Sequence, residues 1–136
     1  MHDSLSIGVR AEPGYVIITA AGEIDIFTVA RLREELFTLA GDGRPLIADL
    51  DRVTFLGAAG LGALACAARR AAARGASLHV VCARPQARQL LQLTGLDRTL
   101  RLARTRAEAL QALPAAPGPG RPGRPAAAAR PGSDRR

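Results

Sequence analysis

The stretch Leu46-Ile47-Ala48-Asp49-Leu50-Asp51-Arg52-Val53-Thr54-Phe55-Leu56-Gly57-Ala58-Ala59-Gly60-Leu61-Gly62 decides how this chain folds. Its opening, Leu46 to Leu50, is a short apolar run of the kind a parallel strand uses when both of its faces are buried. Gly60 to Arg74 is then long enough for a helix, closed by Gly75. Between them the small residues Gly57 to Gly60 let the backbone turn sharply and leave amide N–H groups of the helix start facing outward. A buried strand feeding a helix through a tight junction is the unit of an α/β sheet.

The same alternation continues on both sides. Upstream, Leu5, Ile7 and Val9 recur with period two, and Glu12-Pro13-Gly14 turns the chain into Tyr15 to Ala20, an opening β-hairpin. From about Phe27 to Ala40, Val29, Leu32, Leu36 and Leu39 follow helical spacing with charges between them, and Gly41-Asp42-Gly43 stops that helix. Downstream, Leu78 to Cys82 reads as a second buried strand, and Pro85 opens a helix carrying Leu90, Leu91 and Leu93 that ends at Gly95. A brief extended piece near Leu100 to Ala103 precedes Thr105-Arg106-Ala107-Glu108, whose spacing is that of a capping box starting a last helix through Leu113. The expected fold is α/β: a mixed, mostly parallel sheet with an N-terminal hairpin and about four packed helices.

Domain organisation follows from composition. With 136 residues, 48% of them apolar, the chain can build one domain with a core. We place that domain at residues 1–113. Residues 114–136 hold 6 Pro, 4 Gly and 6 Ala and no Leu, Ile, Val or aromatic residue, so nothing there offsets the entropy of ordering the chain, and a disordered tail is expected. The tail carries +4 of the net charge of +7, which leaves the domain only mildly basic. Every basic residue is Arg, and the tail lacks the aromatic residues that stack on bases, so no specific nucleic-acid partner is expected.

Other classes fall away in turn. The start, Met1 to Arg10, contains Asp3 and no apolar core, so it does not read as a secretory signal, and the Gly/Ala-rich run Phe55 to Ala68, at 14 residues, is too short for a membrane span. A cytoplasmic protein is expected. Cys66 and Cys82 lie in apolar surroundings without metal-ligand spacing and read as buried free thiols. Neither GxGxxG nor GxxxxGK[ST] occurs, and the chain has no Lys, which argues against nucleotide binding. Asp49 and Asp51 alternate along a strand onto one face, but Arg52 is adjacent and no third acid is near, so they read as strand-end residues and not as a metal or acid/base pair. His79, within an apolar strand, has no Ser or Cys nucleophile motif beside it. No catalytic residue, metal site or cofactor is expected.

Four segments together carry a family resemblance: Gly22-Glu23-Ile24-Asp25 with Thr28, then Ala48 to Phe55, then Gly60-Leu61-Gly62, then Leu93-Thr94-Gly95-Leu96-Asp97. In order and spacing, from about Leu5 to Leu113, they resemble the bacterial anti-sigma factor antagonists, the STAS-domain family. The resemblance implies a domain that catalyses nothing, captures an anti-sigma factor, frequently a serine kinase, and so frees a sigma factor for transcription. STAS-type domains also serve as scaffold or regulatory subunits of signalling and transport complexes, which is the alternative. The partner-binding residues implied are Asp25 and the loop Gly57, Ala58, Ala59, Gly60 and Leu61. Asp25 could instead, or also, cap the first helix through its backbone N–H groups.

The family's loop usually reads Asp-Ser-Ser-Gly-Leu or Asp-Ser-Thr-Gly-Leu, with the hydroxyl before the glycine accepting phosphate. Here Ala59 stands at that place and Gly57 at the place of the acid. A methyl group has no oxygen to phosphorylate. Either the protein is a permanently unphosphorylated binder, the reading we favour because the rest of the signature remains, or it has moved to partners that are not kinases.

Overall fold

The fold is that of a computed structural model, which describes residues 5–114. The tail expected over 114–136 lies, apart from Pro114, outside the described residues. One five-stranded sheet runs β1 (Leu5–Glu12), β2 (Tyr15–Ile24), β3 (Leu46–Leu56), β4 (Leu78–Val81) and β5 (Arg101–Ala103) in spatial order. The β1–β2 pair is antiparallel and every other pair is parallel. The helices are α1 (Val29–Ala40), α2 (Ala58–Ala73), α3 (Pro85–Leu93) and α4 (Arg106–Gln111), with a single 3-10 turn at Leu96–Arg98. The α/β reading, hairpin first and then parallel strands joined by helices, is what the structure shows.

Local chemistry explains the elements. The hairpin closes from Glu12 to Tyr15, with Pro13 fixing one corner and Gly14 adopting φ 90°, a conformation that side chains oppose. The first half of β3 and all of β4 are buried, as strands covered on both faces must be. α4 begins as its capping box requires: the Thr105 hydroxyl accepts the Glu108 N–H at 3.1 Å.

The two faces of the sheet are unequal. Val16, Ile18, Leu46, Ala48, Leu50, Leu78 and Val80 pack with Leu32 and Leu36 of α1 and with Ala63, Leu64, Ala67 and Ala71 of α2 in the main core. Small alanines let α2 lie close to the sheet. The other face has a smaller cluster in which Ile17, Ile47, Val81 and Ala103 meet Ala109 of α4. There a polar tie fixes α4: Asp49, only 7% exposed, pairs with the Arg106 guanidinium at 2.5 Å, and Arg106 also reaches the Thr19 hydroxyl at 3.3 Å.

Several expectations need correction. β3 does not end at Leu50 but continues to Leu56, because the register against β2 shifts between Thr19 and Ala21, opposite Asp49 and Arg52. This bulge turns Asp51 and Arg52 out to solvent, which breaks the apolar pattern without ending the strand. Asp49 and Asp51 are therefore not strand-end residues: the Asp49 carboxylate sits mid-strand, accepts the Asp51 N–H at 3.0 Å and holds α4. α1 starts two residues later than Phe27, and α2 two residues earlier than Gly60. Cys82 is buried, and burial pushes its thiol pKa up. Cys66, in contrast, is exposed on the outer face of α2.

Candidate functional site

Two chain junctions meet at the carboxyl ends of β2 and β3. The β2–α1 loop starts at Asp25, one residue past the end of β2, and the β3–α2 junction is Gly57. A main-chain hydrogen bond pins them together, the Gly57 N–H donating to the Ile24 carbonyl at 3.0 Å. The structure thus brings Asp25 and Gly57 to Leu61, the residues singled out by sequence, to one end of the sheet.

Each is held for an identifiable reason. The Asp25 carboxylate accepts the N–H groups of Phe27 at 2.9 Å and Thr28 at 3.1 Å, while the Asp25 carbonyl accepts Val29 N–H at 2.9 Å. Asp25 therefore caps the turn that leads into α1, and the residue at the helix boundary itself is Thr28. The Thr28 hydroxyl in turn donates to the Glu23 carbonyl at 2.8 Å and accepts Asp25 N–H at 3.0 Å. Both ends of this turn are tied down by internal hydrogen bonds, which fixes the backbone that carries the two side chains between them.

Those two side chains were not anticipated as site residues. Ile26 is 74% exposed and Phe27 is 87% exposed. Phe55, on β3 just before the junction, is 46% exposed. Large apolar groups left in the open on or beside two fixed loops are the composition expected of a contact surface. The sequence reading took Phe27 as the start of a helix and did not weigh Ile26 or the side chain of Phe55; a signal that could have found the first two is that Asp25 and Thr28 are both turn-capping types with two residues between them.

At the junction Gly57 is extended (φ −100°, ψ −178°), and its carbonyl accepts the N–H groups of Gly60 at 3.0 Å and Leu61 at 3.1 Å. Gly60 has no room for a side chain: a Cβ there would lie 2.6 Å from Leu56 and 2.7 Å from Ile24, both fully buried. A Cβ at Gly57 would press on the Phe55 ring at 3.1 Å. Ala58 is exposed, whereas Ala59 and Leu61 are half-buried and pack against the main core.

A positioning residue also escaped the sequence reading. Beyond Asp49, β3 has no paired neighbour on its β4 side, since the β3–β4 ladder stops at Asp49 and Val81. Gln86 of α3 fills that gap at Leu56: its amide donates to the Leu56 carbonyl at 3.1 Å and accepts the Leu56 N–H at 3.3 Å. The side chain imitates one rung of a strand and fixes the residue before Gly57. Nearby, the Asp51 carbonyl accepts from Arg84 at 3.0 Å, which ties the β4–α3 connection to the same strand.

The remaining sequence candidates lie elsewhere. His79 sits on the α4 face, 1% exposed, with its Nε2 2.8 Å from the Ser77 hydroxyl; burial first, then the charge of Arg101, hold its pKa below the usual imidazole value. Among the described residues no three His, Cys, Asp or Glu side chains gather to hold a metal ion, and no helix is long and apolar enough to cross a membrane.

A hairpin, three parallel strands and helices arranged around one mixed sheet, with paired loops at the carboxyl ends, define an α/β domain of STAS type. The description "STAS domain" is that of the family whose sequence model matches residues 6–109, and the chain belongs to that family. The anti-sigma-F factor antagonist RsfB of Mycobacterium tuberculosis is 34% identical over 109 residues, 79% of this chain and 88% of that one. Among solved structures, an anti-sigma factor antagonist from Mycobacterium paratuberculosis is 33% identical and superposes with a TM-score of 0.75 over 81% of this chain and 94% of that one. The phosphorylated form of the Bacillus cell fate determinant SpoIIAA, 23% identical with a TM-score of 0.62 over 78% of this chain and 97% of that one, shares the fold.

Proposed function

We propose that this protein is an anti-sigma factor antagonist that captures its partner through the Asp25 loop and the Gly57–Leu61 junction, frees a sigma factor, and does so without phosphorylation of the junction. The observation that carries the reading is the group Ile26, Phe27 and Phe55, open to solvent around two loops fastened to each other by the Gly57–Ile24 hydrogen bond. Apolar side chains on a backbone already held in place require less ordering on binding, and aromatic anchors commonly dominate protein contacts. Similarity to proteins named as antagonists of anti-sigma factors supports the choice of partner.

Ala59 supports the second half of the reading. Its methyl group offers no phosphoryl acceptor, and the two hydroxyls flanking the site are engaged: Thr28 donates to the Glu23 carbonyl and Thr54 to the Gly22 carbonyl. Control then rests on synthesis of the protein or on its partner. Co-purification from the native host with mass spectrometry tests the proposal. An anti-sigma factor should be recovered with the parent protein and depleted with Phe27→Ala; recovery of transporter or scaffold subunits in its place would favour the alternative complex.

A further inference from the structure

The connections that leave β4 and β5 turn to opposite faces of the sheet. After β4, α3 packs Ala87 and Leu91 into the main core, whereas after β5, α4 packs Ala109 into the smaller cluster on the other face. Neighbouring parallel strands whose connections part in this way leave a crevice outside their carboxyl ends, the place where open α/β sheets hold ligands. A cavity of about 340 Å³ opens there, lined by Ala83 and Pro85 from the β4–α3 connection, by Arg88, Gln89 and Gln92 of α3, and by Arg104 ahead of α4. Its volume falls at the lower end of the range of small-molecule sites.

The lining is suited to negative oxygen. Pro85, Arg88, Gln89 and Gln92 recur at helical spacing and so share one stripe of α3. Arg88 is half-buried, and its Nη1 donates to the Cys82 carbonyl at 2.8 Å, which fixes the guanidinium at the end of β4. Gln89, Gln92 and Arg104 are exposed, so a ligand can reach them. Neither guanidinium is ion-paired with a carboxylate among the described residues. The two acids bonded to the backbone of this crevice face main-chain donors: Asp51 accepts the Ala83 N–H at 3.3 Å, and Glu108 accepts the Arg104 N–H. A carboxylate is matched by the fork of one guanidinium. Two guanidiniums on separate elements, with two side-chain amides beside them, match a group that brings close to two charges and three acceptor oxygens.

We propose that this crevice binds the phosphate group of a small phosphate monoester, with Arg88 and Arg104 pairing the charge, Gln89 and Gln92 donating to its oxygens, and Ala83 and Pro85 forming an apolar wall for the organic part. The site stands or falls separately from the capture of an anti-sigma factor, since neither Phe27 nor Gly57 to Leu61 takes part in it.

Titration of the 15N-labelled full chain with ribose 5-phosphate and with ribose, at about 0.15 M salt to screen loose charge attraction, tests this through amide resonances. Ribose 5-phosphate should shift Ala83, Gln89, Gln92 and Arg104 saturably, with a dissociation constant below about 1 mM, and ribose should leave them in place. Arg104→Gln changes an exposed side chain, so it should unfold like the parent while weakening ribose 5-phosphate at least about tenfold. Arg33→Gln, which removes the same charge from the exposed side of α1, should bind like the parent. Shifts that fail to saturate, that ribose reproduces, that persist unchanged in Arg104→Gln, or that weaken equally in the two variants would overturn the proposal.

Discussion

Replacing Gln86 with Ala removes both hydrogen bonds that hold the last residue of β3. Leu56 is fully buried, and its N–H and carbonyl meet the Gln86 amide at 3.3 and 3.1 Å. Each such bond contributes about 0.5–1.5 kcal/mol net, and a buried main-chain group left without a partner costs more. Gln86 itself is exposed, so water can take up part of the vacated role, which sets the expected loss at about 1–2 kcal/mol in urea unfolding. The damage should be local: amide exchange at Leu56 and Gly57 should accelerate more than at Ile47 or Val80 in the middle of the sheet. Gln86→Glu is the sharper variant. Near neutral pH its carboxylate cannot donate to the Leu56 carbonyl and repels it, so it should be at least as unstable as Gln86→Ala, and it should recover as the pH falls below about 4, where the protonated acid regains a donor. A loss under about 0.5 kcal/mol with unchanged exchange at Leu56 would refute the assignment of Gln86 as the clamp of the junction.

Other perturbations follow from the same contacts. Arg106→Ala leaves the buried Asp49 carboxylate without its guanidinium; since Arg106 is half-exposed and water can reach it, the cost should be about 1–3 kcal/mol in denaturant unfolding, and Asp49→Asn combined with Arg106→Ala should cost less than the two singles added. Leu36→Ala and Leu50→Ala, each at a site 1% exposed, should each lose about 2–5 kcal/mol. His79 faces Ser77 on its own strand entry and Arg101 on β5. With its folded pKa lowered from 6.5, the native state binds fewer protons than the unfolded state. Its contribution to stability is therefore present above about pH 6.5 and lost as the pH falls from there, and His79→Gln should flatten the parent's decline between about pH 7 and 5.5.

How far the sequence could be read depended on whether a feature was local. The period-two start at Leu5, the apolar runs from Leu46 and Leu78, the Pro85 helix start and the capping box at Thr105 are each decided within a few residues, and each stands in the structure. What escaped was set by tertiary partners. Asp51-Arg52 reads as the end of a strand because the bulge that turns it outward depends on β2. Gln86 reads as an ordinary residue in the first turn of a helix, since Leu56 is 30 residues away. Asp49 finds Arg106 across 57 residues, a pairing with no local mark. Ile26 and Phe27 escaped as well: Phe27 reads as the start of a helix, whereas the Asp25–Thr28 turn ahead of α1 leaves both residues in the open.

On the proposed function, the Gly57–Leu61 junction and the Asp25 loop form an interface that phosphate does not regulate. Calorimetric titration of the purified anti-sigma partner with the parent and with Ala59→Asp, in the presence and absence of ATP, decides whether it does. Ala59 is half-buried against the core within the junction, so a carboxylate there would carry a hydrated charge into the contact. The parent should bind equally well after incubation with ATP, with no phosphate added to the junction, and Ala59→Asp should weaken binding at least about tenfold, equivalent to about 1.4 kcal/mol. Binding of Ala59→Asp as tight as the parent's would place the interface elsewhere, and phosphate mapped to Thr54 together with lost binding would mean that the switch had moved to that hydroxyl.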